Sequence, residues 1–354
     1  MIELKKDLRK FIEAFGTDEK QAELIAKNSS VIQSIVRIPG DASSRHYFRV
    51  TDLKSQSYIV MRAEPFPELA DKLPFLVVQK HLASVKVDVP KVIDFDPPLG
   101  MVLLEDLGDI TLLRRLQDVG EMGVERHLYE RVIDSLVQMQ VQATPRFNAG
   151  LKGLDLECFK LSFDFEKLFW EVNFTIEQFY QLYLKRNIRE TDEKILKNGF
   201  SEICRLLASQ PQVFTQRDFH SRNIMVAPGD RLVMIDFQDA RMGPAQYDLA
   251  SLLKDSYYQL EETQTQNLID YYIARWEALS REKINKQQFL KVFDLMAIQR
   301  NFKAIGSFAS FLNKRNDATY LKYIGNTFEN IRRVLLKYPE YSPLREVLFH
   351  YYYF

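Results

Sequence analysis

Short runs of apolar residues, rich in β-branched and aromatic side chains, dominate the chain between residues 31 and 105. Turn-forming residues separate many of these runs, which is the pattern of β-strands. The five runs are VIQSIVRI, HYFRV, SYIVMR, KVIDFD and GMVLLE. A helical spacing of apolar residues covers about 70–85, between the third and fourth runs, and also 1–27, with a break near Gly16. This part of the chain therefore predicts a small antiparallel sheet with one inserted helix.

The periodicity becomes mostly helical after Gly108, as in the segment HLYERVIDSLVQMQ. One island, IMVAPGDRLVMIDF, predicts a β-hairpin that turns at Pro228, Gly229 and Asp230. We expect an α+β fold of two lobes that join at the segment LLEDLG. The predicted N-terminal lobe, residues 1–105, is small and built on the sheet, and the predicted C-terminal lobe, residues 106–354, is large and mostly helical.

Composition restricts the class of partner. The 354 residues include 48 basic and 48 acidic side chains, so the chain has no general attraction to nucleic acid or to an anionic membrane. The two cysteines are far apart, which argues against a disulfide framework and for a reducing compartment. The N-terminal segment lacks the apolar core that a signal peptide would have, and the sequence contains no apolar run of about 18 residues. We expect a cytoplasmic protein, a monomer or weak dimer, without nucleic-acid or membrane partners.

Two segments carry acids beside strand-like residues: QRDFHSRN, from residue 216, and IDFQD, from residue 235. Phosphoryl transfer needs positioning of the reactants, metal ions on the phosphates and a group that orients the attacking hydroxyl. Protein kinases supply these with a D-x-x-x-x-N loop and an aspartate after the following hairpin, and Asp218, Asn223 and Asp236 have that arrangement. We therefore predict Asp218 as the catalytic base, and Asn223 and Asp236 as Mg²⁺ ligands, in a protein-kinase-like fold. The alternative is that two common short patterns occur together by chance and have no catalytic role.

The motifs QRDFHSRNIMV, VMIDFQDA and QYDLASLL resemble those of the aminoglycoside phosphotransferase and choline kinase superfamily. Three further segments, GDASSRHYFRV, LLEDLGDITL and AIQRNFKAIGSFA, are more similar to the bacterial kinases that phosphorylate N-acetylmuramate and N-acetylglucosamine at the anomeric hydroxyl. The resemblance covers about 39–311. It implies an ATP- and Mg²⁺-dependent kinase for a small-molecule sugar acceptor, active in cell-wall sugar recycling.

The resemblance also assigns residues to the nucleotide. A turn over the phosphates would comprise Gly40, which permits close backbone approach, the donors Ser43 and Ser44, and the cation Arg45. An ordinary hairpin turn is the alternative for this segment. At the junction of the lobes, backbone groups near Glu105 and Leu107 would bind the adenine edge.

Three residues support or belong to the catalytic loop in this interpretation. Asp248 would accept backbone N–H bonds from the loop, or else act as a helix N-cap. His220 would contact the acceptor sugar or pack beneath the loop. Gln216 stands where the superfamily often has a histidine and can make similar hydrogen bonds.

One departure from the kinase pattern concerns the phosphates. Many kinases have a lysine on the third strand that pairs with a helix glutamate. Here Met61 occupies the strand position of that lysine, which would place it beside the nucleotide. The following helix has Gln79 but no glutamate. The triphosphate would then be held by the turn, the metal and Arg45 or Arg62. A nucleotide-binding pseudokinase that regulates a partner is the alternative.

The segment AIQRNFKAIGSFA contains the acceptor candidates. On a helix Gln299 and Lys303 share one face, and Arg300 lies about 100° away. Amide, ammonium and guanidinium groups suit sugar hydroxyls or a carboxylate, although a solvated helix face would show the same residues. An aminoglycoside would instead need an acidic wall, and choline an aromatic cage. We therefore expect a neutral or anionic sugar as acceptor, with choline and aminoglycosides as alternatives.

Overall fold

The five apolar runs of the N-terminal third form one antiparallel sheet in the order β1-β2-β3-β5-β4. The strands are β1 Ile32–Ile38, β2 His46–Asp52, β3 Ser57–Arg62, β4 Val92–Asp96 and β5 Met101–Glu105. Because side chains alternate along a strand, each strand contributes to both faces of the sheet. The predicted sheet, with one helix inserted between its third and fourth strands, is confirmed.

The computed structural model describes residues 2–14, 28–38, 45–67, 73–118 and 122–353. Three residues of the predicted phosphate-covering turn, Gly40, Ser43 and Ser44, lie outside these ranges. The second half of the predicted N-terminal helical segment, residues 15–27, also lies outside them. No helix in the part of the chain that the structure describes is both long and apolar enough to cross a bilayer.

Each face of the sheet packs against a helix. On one face, α1 (Ile2–Ala14) buries Leu8 and Phe11 against the strands, and the Phe11 ring meets Phe48 edge-on with centroids 5.1 Å apart. On the other face, the inserted helix α2 (Pro74–Ser84) and Met61 belong to the main apolar core. Burial of each such side chain stabilises the fold by about 1.5–3 kcal/mol.

The remainder of the chain is largely helical. Its helices are α3 Leu112–Asp118, α4 Met122–Gln142, α5 Glu157–Lys160, α6 Phe165–Thr175, α7 Glu190–Ala208, α8 Gln246–Leu253, α9 Glu262–Ser280, α10 Lys286–Arg315, α11 Ile324–Leu335 and α12 Ser342–Tyr353. The central α10 is buried along much of its length. It begins at an Asn285 side chain that accepts the Gln288 N–H (3.1 Å) and ends at Asn316, whose φ of +53° stops the helix.

Two small antiparallel strand pairs lie among these helices. The predicted hairpin is present as β7 (Ile224–Ala227) and β8 (Arg231–Met234), and Gly229 takes φ +76° in its turn. The pairing of β6 (Gln212–Thr215) with β9 (Arg241–Pro244) was not predicted. Each of these strands has four residues, too few to show a period.

α10 lies unusually close to α6. The hydroxyl of Thr175, the last residue of α6, donates to the Phe302 carbonyl of α10 (3.0 Å). A Cβ added to Gly306 would lie 2.3 Å from that hydroxyl oxygen and 2.7 Å from the Thr175 Cα. The chain continues from Thr175 as a π-helix, Ile176–Tyr183. The glycine therefore sets how closely the two helices approach.

Replacement of Gly306 by alanine is expected to lower the free energy of unfolding by about 1–3 kcal/mol, because the added methyl group overpacks the contact with Thr175. Urea denaturation measures the change. Gly325→Ala is the matched control, since that helical glycine has only the Tyr352 hydroxyl within 4 Å of its added Cβ, at 3.8 Å. The control should be neutral or slightly stabilising, and equal losses in both variants would contradict this account.

Candidate active site

A cleft of about 820 Å³ separates the sheet from the helical part of the chain. At one end its walls are apolar, with Tyr47, Ile59 and Leu104 from the sheet and Met225 and Ile235 from the hairpin side. Towards the other end the lining becomes polar and includes the acids that the sequence motifs predict. The arrangement suits a ligand with a flat apolar part and a charged part.

The loop before Asp218 is held by a buried carboxylate. Asp248 is fully buried and accepts hydrogen bonds from the backbone N–H groups of Gln216 (2.7 Å) and Arg217 (3.0 Å). This is the contact that the family resemblance implies. Asp248 is the third residue of α8, and the N-cap position belongs to Ala245. Burial raises the pKa of Asp248 to about 7.

Arg300 holds the same loop from α10. Its Nη1 donates to the Arg217 carbonyl (2.7 Å), and its Nη2 donates to the Ser251 hydroxyl (2.7 Å). Its guanidinium lies 4.3 Å from the Tyr247 ring centroid, and that ring stacks on Phe163 at 3.8 Å. Arg300 lines the cleft, but its Nη1 is committed to Arg217 of the loop and its Nη2 to Ser251 of α8, so we interpret it as a positioning residue rather than a sugar contact.

Three cations surround the carboxylate of Asp218. Lys303 Nζ is 3.1 Å from Oδ1, Arg300 Nη2 is 3.9 Å from Oδ1, and Arg217 Nε is 4.0 Å from Oδ2. Burial by itself would raise the pKa of Asp218. The charges of these cations outweigh burial and hold the pKa well below its usual range. Asp218 is therefore ionised over the whole physiological range.

Asn223 and Asp236 meet next to Asp218. The Asn223 amide donates to the Asp218 carbonyl (2.9 Å) and lies 3.4 Å from Asp236 Oδ2. Asp236 has φ +59°, and the Gln216 amide holds this turn by donating to the carbonyls of Ile235 (2.8 Å) and Asp236 (3.1 Å). Gln216 thus makes the hydrogen bonds expected of it.

The donor set fits Mg²⁺. An amide oxygen and a carboxylate are hard ligands, and Mg²⁺ commonly takes only one or two carboxylates, completing its shell with phosphate and water. No group of three acidic, histidine or cysteine side chains within the described ranges has metal-binding geometry. Burial raises the pKa of Asp236, which a bound cation would oppose.

The junction of the lobes forms one edge of the cleft. Both Glu105 and Leu107 line it. The Glu105 N–H donates to the Lys91 carbonyl (3.0 Å), and its carboxylate accepts from the Lys91 N–H (2.9 Å) and pairs with Arg231 (3.3 Å). A backbone donor for a base edge would therefore come from Leu107 rather than from Glu105.

Two cations were expected near the phosphates. Arg45 lines the cleft, where it hydrogen-bonds to Tyr47 and lies close enough to Asp236 to act on its charge. Arg62 does not line the cleft.

Met61 requires a correction. It lies on the expected strand but is fully buried in the main core and is not part of the cleft wall. We therefore assign Met61 to packing, not to nucleotide contact. Gln79, on the following helix, donates to the Pro90 carbonyl (3.0 Å).

Gln299 also requires a correction. It shares a helix face with Lys303 but lies one turn deeper, fully buried, where its amide donates to Glu171 (3.1 Å) and to the Leu168 carbonyl (3.3 Å). Helical periodicity gives the face of a residue but not its depth.

His220 does line the cleft, as Lys303 does, and its ring meets Tyr257 edge-on at 5.1 Å. Burial lowers the pKa of His220 to about 3, so the ring is neutral.

Several residues of the cleft were not predicted. Asp255 is buried and accepts from the Ser221 hydroxyl (2.6 Å) and N–H (3.0 Å) and from the Tyr257 N–H (2.8 Å). Arg222, Tyr257 and Tyr320 meet on the wall of the cleft. Asp255 could have been predicted, because it is the acid that follows the QYDLASLL motif. The contact of Arg222 with Tyr320 could not have been predicted, because nearly a hundred residues separate them.

Comparisons with known proteins identify the family to which the chain is similar. The model of the phosphotransferase enzyme family (APH) matches residues 34–283. The chain is 33% identical over 316 residues to the N-acetylmuramate/N-acetylglucosamine kinase of Neisseria meningitidis serogroup B, with 87% of each chain covered. It is 31% identical over 327 residues to the enzyme of the same name from Pseudomonas aeruginosa, with 89% of this chain and 87% of that one covered.

A solved structure shows the same fold. The ethanolamine kinase of Plasmodium vivax superposes with a TM-score of 0.57 at 14% identity, over 92% of this chain and 93% of that chain. The α+β arrangement expected from the sequence, a small antiparallel sheet followed by a largely helical region, is confirmed.

Replacement of Asp248 by asparagine should destabilise the protein by about 1–3 kcal/mol, because one of the two backbone N–H groups would face an amide donor in a buried site. Amide hydrogen exchange at Gln216 and Arg217 should accelerate. Thermal unfolding and exchange measurements test this together. Asp118→Asn, at an exposed carboxylate paired with Arg114, is the control and should stay within about 0.5 kcal/mol of the wild type. Unchanged exchange in the Asp248 variant would show that the loop does not depend on this carboxylate.

Proposed function

The chain belongs to the phosphotransferase enzyme family, and we propose that it is an ATP- and Mg²⁺-dependent kinase for the anomeric hydroxyl of an amino sugar such as N-acetylmuramate or N-acetylglucosamine. The carrying observation is that Asp218, Asn223 and Asp236 converge in one cleft, with the cation Lys303 against Asp218. The names of the relatives support the choice of acceptor. We place the enzyme in the cytoplasm and in cell-wall sugar recycling.

We assign the nucleotide and the acceptor sugar to opposite ends of the cleft. The apolar end, with Ile59, Leu104 and Met225, would take the nucleotide base. Arg45 would neutralise phosphate charge in place of the third-strand lysine, because it lies near Asp236. Mg²⁺, when bound by Asn223 and Asp236, would neutralise charge on the phosphates.

Asp218 would act on the acceptor. Its carboxylate orients the anomeric hydroxyl, whose oxygen forms a bond to the γ-phosphorus while the bond to the leaving ADP oxygen breaks, and the hydroxyl proton passes to Asp218. Because nearby cations keep Asp218 a weak base, orientation is its main contribution. The anomeric hydroxyl suits such a site, since it is more acidic than an ordinary alcohol. In protein kinases the aspartate of the catalytic loop accepts this proton.

The charges at the acceptor end disfavour the rival acceptors. A choline kinase would use the faces of aromatic rings for a quaternary ammonium. Here the guanidinium of Arg222 already lies over Tyr257 and Tyr320, at 5.0 and 5.3 Å from their centroids. An aminoglycoside would require acidic walls, but Arg222 and Lys303 add positive charge. A neutral or anionic acceptor fits both observations.

A pseudokinase is the alternative from another class. This alternative is suggested by Met61, which occupies the strand position where many kinases have a lysine. The meeting of all three predicted chemical residues in one cleft favours catalysis over mere binding. Nucleotide binding without turnover of any acceptor would select the pseudokinase.

ATP consumption with Mg²⁺ should be measured against N-acetylmuramate, N-acetylglucosamine, glucosamine, glucose, choline and kanamycin. We expect turnover with an N-acetylated sugar and a sugar 1-phosphate product, identified by ³¹P NMR. Asp218→Asn should lower kcat by about 10²–10⁴-fold, because it removes the orienting carboxylate. Turnover of choline or kanamycin alone would overturn the acceptor assignment but not the catalytic one.

The pH profile of kcat/KM should change when Lys303 is replaced by methionine. Loss of the cation 3.1 Å from Asp218 raises the pKa of the carboxylate, so activity that needs its ionised form is lost at higher pH than in the wild type. We expect the pKa of Asp218 to rise towards its ordinary range by about one unit or more. The effect is confined to the acidic limb, so the profiles are recorded down to the lowest pH at which both proteins remain folded. Lys286→Met, at the start of the same helix and paired with Asp270, is the control. A profile of unchanged shape, merely lower, would show that Lys303 does not set the protonation of Asp218.

A further inference from the structure

Helix α10 continues past Lys303 along the acceptor end of the cleft. Ser307 lies one turn later on the same face of the helix, about 6 Å further along its axis, and it also lines the cleft. Lys303 Nζ is 3.1 Å from Asp218 Oδ1. In the proposed function the reacting hydroxyl of the acceptor lies at Asp218. Ser307 would then face the part of the sugar that is next to this hydroxyl.

The hydroxyl of Ser307 uses its one proton within the helix. Its Oγ donates to the Lys303 carbonyl (3.2 Å). No group in the part of the chain that the structure describes donates a hydrogen bond to this oxygen. Because a serine oxygen has two lone pairs, it can accept a hydrogen bond from a ligand while it keeps the bond to the helix. Ser307 is therefore suited to a ligand group that donates.

The wall beside Ser307 is apolar. Ala304 and Phe308, also on α10, line the cleft next to it. The Phe308 ring stacks on Tyr320 with an interplanar angle of 6° and centroids 5.9 Å apart, and its centroid is 6.0 Å from that of Tyr257. These contacts fix the ring in place. A hydrogen-bond acceptor beside a fixed apolar surface suits a group that carries both an N–H and a methyl.

We infer that Ser307 is a specificity-determining residue that accepts a hydrogen bond from the acetamido N–H of the acceptor sugar, with Ala304 and Phe308 against the acetyl methyl. The inference rests on the proposed function and deepens it, because it selects N-acylated amino sugars by their amide. In such sugars the acetamido group is on the ring carbon next to the anomeric carbon, so it lies within reach of Ser307 when the anomeric hydroxyl is at Asp218.

The charges nearby disfavour an amino sugar that is not acetylated. Its free amine would be an ammonium group. Three cations, Lys303, Arg300 and Arg217, lie within 4.0 Å of the Asp218 carboxylate, so the positive charges outnumber the negative charge that they surround. An ammonium placed on the neighbouring ring carbon would be repelled, whereas a neutral amide would not.

The test compares an N-acetylated sugar that wild-type enzyme turns over, N-acetylglucosamine or N-acetylmuramate, with its N-methyl derivative, which keeps the acetyl group but lacks the N–H. Wild-type enzyme should use the parent sugar with a kcat/KM at least tenfold above that of the derivative. Ser307→Thr keeps the hydroxyl and should keep most of this ratio. Ser307→Val has the same shape without the hydroxyl and should lower the ratio about three- to tenfold, since one hydrogen bond is lost.

Ser310→Ala is the matched control. The Ser310 hydroxyl makes a similar bond within the helix, to the Ser307 carbonyl (2.8 Å), but Ser310 does not line the cleft. This variant should keep the wild-type ratio. A loss of the ratio in Ser310→Ala equal to that in Ser307→Val would show that the effect comes from the helix and not from contact with the amide.

Failure of the inference and failure of the proposed function are distinguishable. If wild-type enzyme turns over an N-acetylated sugar but the Thr and Val variants give the same ratio, or both acceptors fall equally in Ser307→Val, the role of Ser307 is refuted and the proposed function stands. If wild-type enzyme turns over neither sugar, the proposed function fails and the inference falls with it. Should Ser307→Val fold poorly by circular dichroism, Ser307→Ala takes its place, since alanine favours a helix.

Discussion

Two hydrogen bonds from peptide N–H groups to the carboxylate of Asp248 are the contact on which the site depends. Arg217 has φ +87°, a backbone conformation that costs a non-glycine residue on the order of 1–3 kcal/mol. Its N–H is held by Asp248 of α8, and its carbonyl is held by Arg300 of α10. The backbone of one strained residue is thus held by side chains from two helices. Asp218, the next residue, takes its position from both.

The same α10 sets the charge of the site. Lys303 and Arg300 bring positive charge to Asp218, and the depth at which they sit follows from the packing of the helix. That packing is close at Gly306, where α10 meets Thr175. A contact between two helix backbones, remote in sequence from the catalytic motif, therefore contributes to the electrostatics of the carboxylate.

Local patterns in the sequence predicted much of this arrangement. Alternating apolar runs predicted the five-stranded sheet, and the spacing of Asp218, Asn223 and Asp236 placed three residues that do meet. The predictions that failed or were missed concern how deeply a side chain is buried and which distant segments of the chain come into contact. Gln299 has the right helical face but is buried one turn too deep for the cleft. The pair β6–β9 and the stack of Arg222 with Tyr320 join distant segments, and tertiary packing alone brings these together.

The burial of Met61 has a consequence for control of the enzyme. In protein kinases an ion pair between a third-strand lysine and a helix glutamate can be broken, and activity is switched through it. Here the equivalent strand position belongs to the same apolar core as Phe75 and Val78 of α2. This apolar contact contains no charged group on which phosphorylation could act. Helix α2 is therefore packed on this strand without an ion pair of that kind, and the proposed kinase would lack this route of control.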